Sequence, residues 1–245
     1  MEPKKNFWGI ILISLTAIIC IFMLSGAYKY KYQQQESITV TGAAEMNFVS
    51  DLIVWNASFS RSASNLQDAY TLLQSDEQKV RQYLREMKIN EEEVVFSSVQ
   101  TDKLYTTQYD HNGHMTGTRF DGYQLTQTIK ITSQNIPLVD KVSREITSLI
   151  RQGVEMNSSP PSYYYTKLGE LKIDLLKQAS ADGKERAETI AKNAGIRLGQ
   201  LKKATMGIFQ IIGQNENEDY SYGGTFNTTS LHKTATITVK MEFSL

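Results

Sequence analysis

LGELKIDLLKQASADGKERAETIAKNAGIRLGQL, residues 168–201, repeats its apolar and small side chains at three- and four-residue steps: Leu168, Leu171, Leu175, Ala179, Gly183, Ala187, Ile190, Ala191 and Ala194. That spacing places them along one side of a helix of about seven turns. The side narrows from leucines to small residues, so its second half is shaped to approach a sheet or another helix closely. Lys184, Glu185, Glu188 and Lys192 fall on the opposite, solvated side. Gly195 is placed as a left-handed cap, and Lys192 and Arg197 suit the negative pole of the helix dipole. The stretch predicts a packing element and carries no catalytic chemistry.

Outward from this helix, composition sets the bounds. The chain has 245 residues, 40% hydrophobic, which is enough to bury a full core. Its 26 basic and 26 acidic residues balance, which argues against nucleic acid as a partner. The single cysteine, Cys20, lies in an apolar N-terminal run, so the rest of the chain has no disulfide, thiol nucleophile or thiolate metal ligand.

Residues 1–6 carry Lys4 and Lys5, and 7–28 (FWGIILISLTAIICIFMLSGAY) hold no charge. As a helix this run is roughly 33 Å long, enough to cross a bilayer. The basic start predicts a cytoplasmic N-terminus, a single pass through the cytoplasmic membrane, and a body in the periplasm or outside the cell. Lys29 and Lys31 beyond the run weaken that bias. A cleaved signal peptide is the rival reading, with Ser25 and Ala27 as a small-x-small site; the length of the run favours an uncleaved anchor. Residues 29–36 (KYKYQQQE) then read as a short polar linker, and 37–245 as the body.

Along the body, 37–44 and 51–60 read as strands, the second alternating Ile53, Trp55, Ala57 and Phe59 on a core face. Residues 64–88 read as a helix capped by Ser64, with a stripe of Leu66, Ala69, Tyr70, Leu73, Val80, Leu84 and Met87. Residues 94–109 and 118–133 form two strands of a long hairpin turning at His111-Asn112-Gly113-His114, of which only the later half of the return strand should lie over a continuous core. A helix follows from Pro137, striped by Leu138, Val142, Ile146, Leu149 and Ile150. Pro160 and Pro161 cannot donate ladder hydrogen bonds, so any strand within 154–165 is an edge or starts after them. After the long helix, 202–213 and 232–243 close the body as strands around a polar loop, 214–230. The order is β-β-α-β-β-α-β-α-β-β, an α+β fold of antiparallel-rich sheets with helices packed on a face, preceded by one N-terminal transmembrane helix.

Thr41-Gly42 followed by a strand led by Asp51, the Gly122-Tyr123 strand, and the Ala179–Asp182–Ala187–Ala191–Gly195 ladder ending in Leu198-Gly199 together resemble the SIMPL-domain family over about residues 37–245. Its bacterial members include periplasmic immunogenic proteins. Two departures stand out: Gly183 where the family usually has alanine, and Ser50-Asp51 where it often has Pro-Asp. The resemblance implies an α+β domain, export in bacteria and self-assembly, and it brings no established catalytic residues.

Candidate sites are few. His111 and His114 beside Asp110 have metal-ligand chemistry, but three groups at a hairpin tip without an orienting shell suit a turn better than a zinc or copper site. Tyr163, Tyr164 and Tyr165 after the prolines, and Tyr220, Tyr222 and Phe226 in the glycine-bearing loop, are candidate interaction residues, because tyrosine offers large contact area at low entropy cost. No serine-hydrolase elbow, phosphate loop or dinucleotide fingerprint occurs. The reading is therefore a membrane-anchored, non-enzymatic envelope protein without cofactor, which forms homo-oligomers or binds an envelope protein partner. A small-ligand or metal-binding module, and a hydrolase with dispersed residues, are the alternatives.

Overall fold

In the computed structural model, which describes residues 4–32, 36–216 and 223–245, the long helix runs Leu168–Asn193 (α4). Its buried residues are Leu171, Leu175, Ala179, Gly183, Ala187 and Ala191, a strict four-residue ladder. Ile190, one step off that line, is exposed. Gly195 ends the helix with φ +75°, its N–H donating to the Lys192 carbonyl at 3.1 Å.

Before it come α1 (Lys4–Tyr32), β1 (Ser37–Val49), β2 (Leu52–Ala63), α2 (Leu66–Glu86), β3 (Val94–Phe96), β4 (Gln100–Tyr109), β5 (Met115–Ser133), α3 (Ile136–Glu145) with a 3₁₀ turn from Ile146 to Gln152, β6 (Glu155–Ser158) and β7 (Ser162–Tyr164). After it come β8 (Leu201–Met206), β9 (Gln210–Gly213) and β10 (His232–Ser244). The strands make two sheets. One has the order β1-β10-β8 with β9 also on β10; the other is β3-β5-β2-β6, with β4 also on β5 and β7 also on β2.

Several sequence expectations are corrected. The cap of α2 is Asn65, whose side chain accepts from the Asp68 N–H at 2.8 Å, and not Ser64. Leu66 and Tyr70 are exposed, as is Ile150 in the 3₁₀ turn, where the tighter winding rotates it off the buried face of α3. The expected strand 94–109 is broken after Phe96. There Ser97 takes the ladder for itself: its N–H donates to the Thr128 carbonyl at 2.8 Å and its Oγ accepts from the Thr128 N–H at 3.0 Å. The strand 202–213 is likewise two strands, parted at Gly207; within 154–165 a strand starts after the prolines as expected (β7), but a second, β6, precedes them.

The chain forms two compact units. The first comprises Met1–Gly42, Ala181–Thr205 and Val239–Leu245; the second Ala43–Ser180 and Met206–Thr238. In the first, Gly183 sits so close to the sheet that a Cβ there would overlap Met241 Cε and come within 3.2 Å of the backbone N and Cα of Gly42. The second holds the main core: Trp55, Phe59, Leu73, Leu125, Ile129 and Ile131 are all buried between the β2–β5 pair and helices α2 and α3. Trp55 Nε1 donates to the Ser159 carbonyl at 3.0 Å, which satisfies its one polar atom in the core. Arg61, on β2, reaches the buried carboxylate of Asp76 on α2.

The α1 helix includes one segment, Ile11–Lys29, long and apolar enough to cross a membrane. Its described apolar side chains from Ile11 to Leu24 are exposed, and the Thr16 hydroxyl donates back to the Ile13 carbonyl at 2.8 Å. Such a helix exposes hydrocarbon and few unsatisfied polar groups, as a lipid environment demands.

Candidate functional site

β5 is 19 residues long, and only its second half belongs to the core. From Tyr123 to Ser133 it pairs with β2, its buried residues from Leu125 onward alternating with partly buried or exposed ones; from Met115 to Asp121 it pairs with β4 alone and is largely exposed. The result is a two-stranded arm, both of whose outer backbone edges lack a strand partner among the described residues.

Two devices set the arm off from the sheet. Leu104 pairs with Gly122 and Tyr105 with Phe120, so Asp121 is an extra residue, a β-bulge that bends and twists the ribbon. Gly122 has φ +128°, and a Cβ on it would collide with the Ala63 carbonyl oxygen and lie 3.0 Å from its carbon. Glycine is thus required where the arm leaves β2. Beyond it, Tyr105, Phe120 and Tyr123 stack edge-on with ring centroids 5.9 and 5.2 Å apart. Tyr105 is 58% exposed and Phe120 44%. Tyr109 and Met115, paired nearer the tip, are exposed as well.

At the tip, Gly113 takes φ +82° while Asn112 stays at negative φ, so the turn is wider than the tight two-residue hairpin turn that an Asn-Gly pair favours, with glycine in the left-handed position. Asp110 organises it. One carboxylate oxygen accepts from the N–H groups of Asn112 and His114, each at 2.8 Å, and the other lies 3.4 Å from His114 Nδ1. The His114 backbone N–H above all, with the other turn donors, holds the Asp110 carboxyl below its ordinary range. The structure thus brings His114, but not His111, to Asp110. No group of three or more His, Cys, Asp or Glu side chains suited to hold a metal ion occurs among the described residues.

The tyrosine run lies in and beside β7. Tyr164 pairs with Leu52 and Tyr163 with Ile53, and the Tyr165 ring lies 4.9 Å from Phe48. All three are half-buried. The Tyr163 hydroxyl donates to Asp140 at 2.9 Å; burial first, then this carboxylate, pushes its pKa up to about 12. Its carbonyl accepts from Lys233 Nζ, a buried ammonium on β10, at 2.5 Å. Phe226 is 48% exposed, with Lys233 Nζ 5.9 Å from its ring centroid, while Tyr220 and Tyr222 lie outside the described residues.

An open cleft of about 550 Å³ lies beside the start of β2, lined by Ser50, Asp51, Gln134, Ile136, Thr166 and Lys167 among others. Asp51 is committed to structure: its carboxylate accepts from both the N–H and the hydroxyl of Thr166, each at 2.7 Å, and so fixes the approach to α4. Ser50 is 4% exposed, and its hydroxyl has no hydrogen-bond partner among the described residues.

Sequence reasoning missed the aromatic face of the arm, because Tyr105 and Phe120 face each other only in a register shifted by the bulge. It also missed the buried Asp76, which reads as one more solvated acid on α2. No curated protein matches the chain. Residues 38–243 match the SIMPL family, described as a protein of unknown function (DUF541). The helix ladder, the Asp51 that holds Thr166, and the Gly122 at the base of the arm now have physical reasons, and by its match over most of its length the chain belongs to the SIMPL family.

Proposed function

We propose that this protein is a single-pass, membrane-anchored component of the bacterial cell envelope, with its body in the periplasm or outside the cell, acting by non-catalytic association with copies of itself. The observation that carries the reading is the β4–β5 arm. A two-stranded ribbon with both edges open and an exposed aromatic face is marginally stable in water and gains from a further strand or a covering surface. Tyr105, Phe120 and Tyr109 supply the anchors that interfaces favour. An open edge and a cluster of rings are self-complementary, which suits closed homo-oligomers. The α1 segment supports the location, since its uncharged length matches a bilayer and its start is basic.

The test is the mass of the full-length protein in mild detergent, by light scattering over a wide concentration range. Oligomers that dissociate on replacing Tyr105 and Phe120 with serine support the reading. A strict monomer at every concentration, with no companion protein co-purifying from the native membrane, overturns it.

A small-ligand role has one feature in its favour, the Ser50 hydroxyl beside the open cleft, which has no partner among the described residues. Ser50→Ala should leave thermal stability nearly unchanged. If the variant instead abolishes a thermal shift given by a metabolite in a small-molecule screen, the cleft is the functional site.

A further inference from the structure

The end of the sheet from which the anchor departs is both basic and apolar. In the first unit, the Leu245 N–H donates to the Glu36 carbonyl at 3.0 Å, the Gly199 N–H to Ser244 at 2.7 Å, and the Ser244 N–H to Gln200 at 2.9 Å. These bonds gather Glu36, the end of β10 and the turn between α4 and β8 at one place. The anchor helix ends at Tyr32, four residue steps before Glu36. Even fully extended, that tether spans only about 14 Å. The turn after α4 is therefore held near the bilayer surface.

Its composition fits that location. From Thr189 to Asn215 the chain contains no acidic residue. Lys192, Arg197, Lys202 and Lys203 are exposed, and none of them takes part in an ion pair among the described residues. Between them, Ile196 is 44% and Leu201 51% exposed. At the same end, Lys240 and Glu242 offset one another, Glu188, one turn before Lys192, is paired with Lys184, and Glu36 is a further acidic side chain. Residues along β8 advance about 3.3 Å each, so Lys202 and Lys203 lie within about 10 Å of Gln200, inside one Debye length of a surface touching the turn. Aliphatic side chains flanked by Arg and Lys enter the headgroup layer while the cations stay among lipid phosphates. A short tether raises the effective concentration of such a patch at its own membrane, so weak individual contacts suffice.

We infer that the rim from Ile196 to Lys203 is a membrane-docking surface that seats on anionic phospholipid of the bilayer holding α1. This rests on the reading of α1 as an uncleaved anchor, and it is independent of the arm.

The test uses the full chain, one copy per lipid disc of phosphatidylcholine with or without phosphatidylglycerol, so that a second copy cannot be the occupant. A fluorophore is attached to the native Cys20 in one preparation. In two others, made in a Cys20→Ser background, it is attached at Ile196→Cys or at Asn112→Cys on the arm tip. Headgroup-labelled quenching lipid should quench the probe at position 196 several-fold more in the anionic discs, and should leave the probe at position 112 unaffected. Reversing Arg197, Lys202 and Lys203 to glutamate should abolish the lipid dependence, with circular dichroism confirming the fold. The proposal is overturned if Cys20 is quenched by acyl-chain-labelled lipid while position 196 is unquenched, or equally quenched in both discs. Quenching that survives charge reversal overturns it too. An unquenched Cys20 overturns the anchor reading itself, a separate failure.

Discussion

Arg61 on β2 and Asp76 on α2 form an ion pair whose carboxylate is almost wholly enclosed: Asp76 is 1% exposed, with Arg61 Nη2 3.0 Å and Lys79 Nζ 3.2 Å from its Oδ1. The same two cations also donate to carbonyls at the end of the 3₁₀ turn, Arg61 to Gly153 and Lys79 to Gln152. One buried acid thus positions two cations that cap a helix end, tying α2, β2 and the turn before β6 together. The Asp76 hydrogen bond, set against desolvation, raises the Arg61 pKa above its already high ordinary value, so the guanidinium stays charged at any working pH. Asp76→Ala leaves Arg61 without its partner and frees both carbonyls, and should cost about 3–5 kcal/mol in denaturant unfolding. Lys79→Ala, removing a partly exposed partner, should cost about 1 kcal/mol or less.

Gly183 and Met241 should be energetically coupled. Gly183→Ala gains about 1 kcal/mol of helix propensity, but the added methyl overlaps Met241 Cε and presses on the Gly42 backbone. Overpacking costs about 1–3 kcal/mol, so the variant should be less stable by about 1 kcal/mol. Met241→Ala creates room, and in that background Gly183→Ala should become neutral or stabilising. Unfolding midpoints of the two single variants and the double variant check this; strict additivity would show that the contact is not the cause.

Alkaline stability should report on Tyr163. Its folded pKa, about 12, lies above the ordinary tyrosine value of 10.0. The unfolded chain loses this proton first, so the contribution is full below pH 10 and is lost as pH rises towards 12. Tyr163→Phe should lose about 1 kcal/mol with the Asp140 hydrogen bond at neutral pH, and its urea midpoint should fall less steeply above pH 10 than that of the parent. Parallel profiles would assign the alkaline loss to other groups.

Gly122→Ala should be among the most damaging single-methyl changes in the second unit. It forces a left-handed residue to carry a Cβ into the Ala63 carbonyl, where only backbone can yield. A loss of about 2–3 kcal/mol is expected, with the largest amide shifts at Ala63 and Ser64. Gly117→Ala, on the open arm with nothing within 4 Å, should cost less despite its φ of +155°.

Much of the architecture was legible because burial imposes a period. The four-residue ladder of α4, the alternation of β2 with Trp55 inside, and the change from exposed to alternating burial within β5 all follow from which side chains leave water. What was not legible depends on partners distant in sequence. Asp76 lies among polar neighbours and becomes a core residue only because Arg61, 15 positions away, meets it across two elements. Ser97 breaks the expected strand because Thr128 lies opposite it. Asn65 rather than Ser64 caps α2, a choice between adjacent side chains that the backbone entry angle makes. The tip histidines were visible as a motif, yet Asp110 uses the turn's own N–H groups, which no residue pattern distinguishes from metal-ligand chemistry.

The bulge and glycine at the root of the arm have an evolutionary consequence. Ile129 and Ile131 are locked into the core by their β2 partners, whereas Tyr105 to Phe120 contribute little to whether the protein folds. Substitutions there escape the stability threshold that constrains most positions. The arm can therefore drift, lengthen or exchange its aromatic residues while the body stays fixed, an edit that the scaffold does not register.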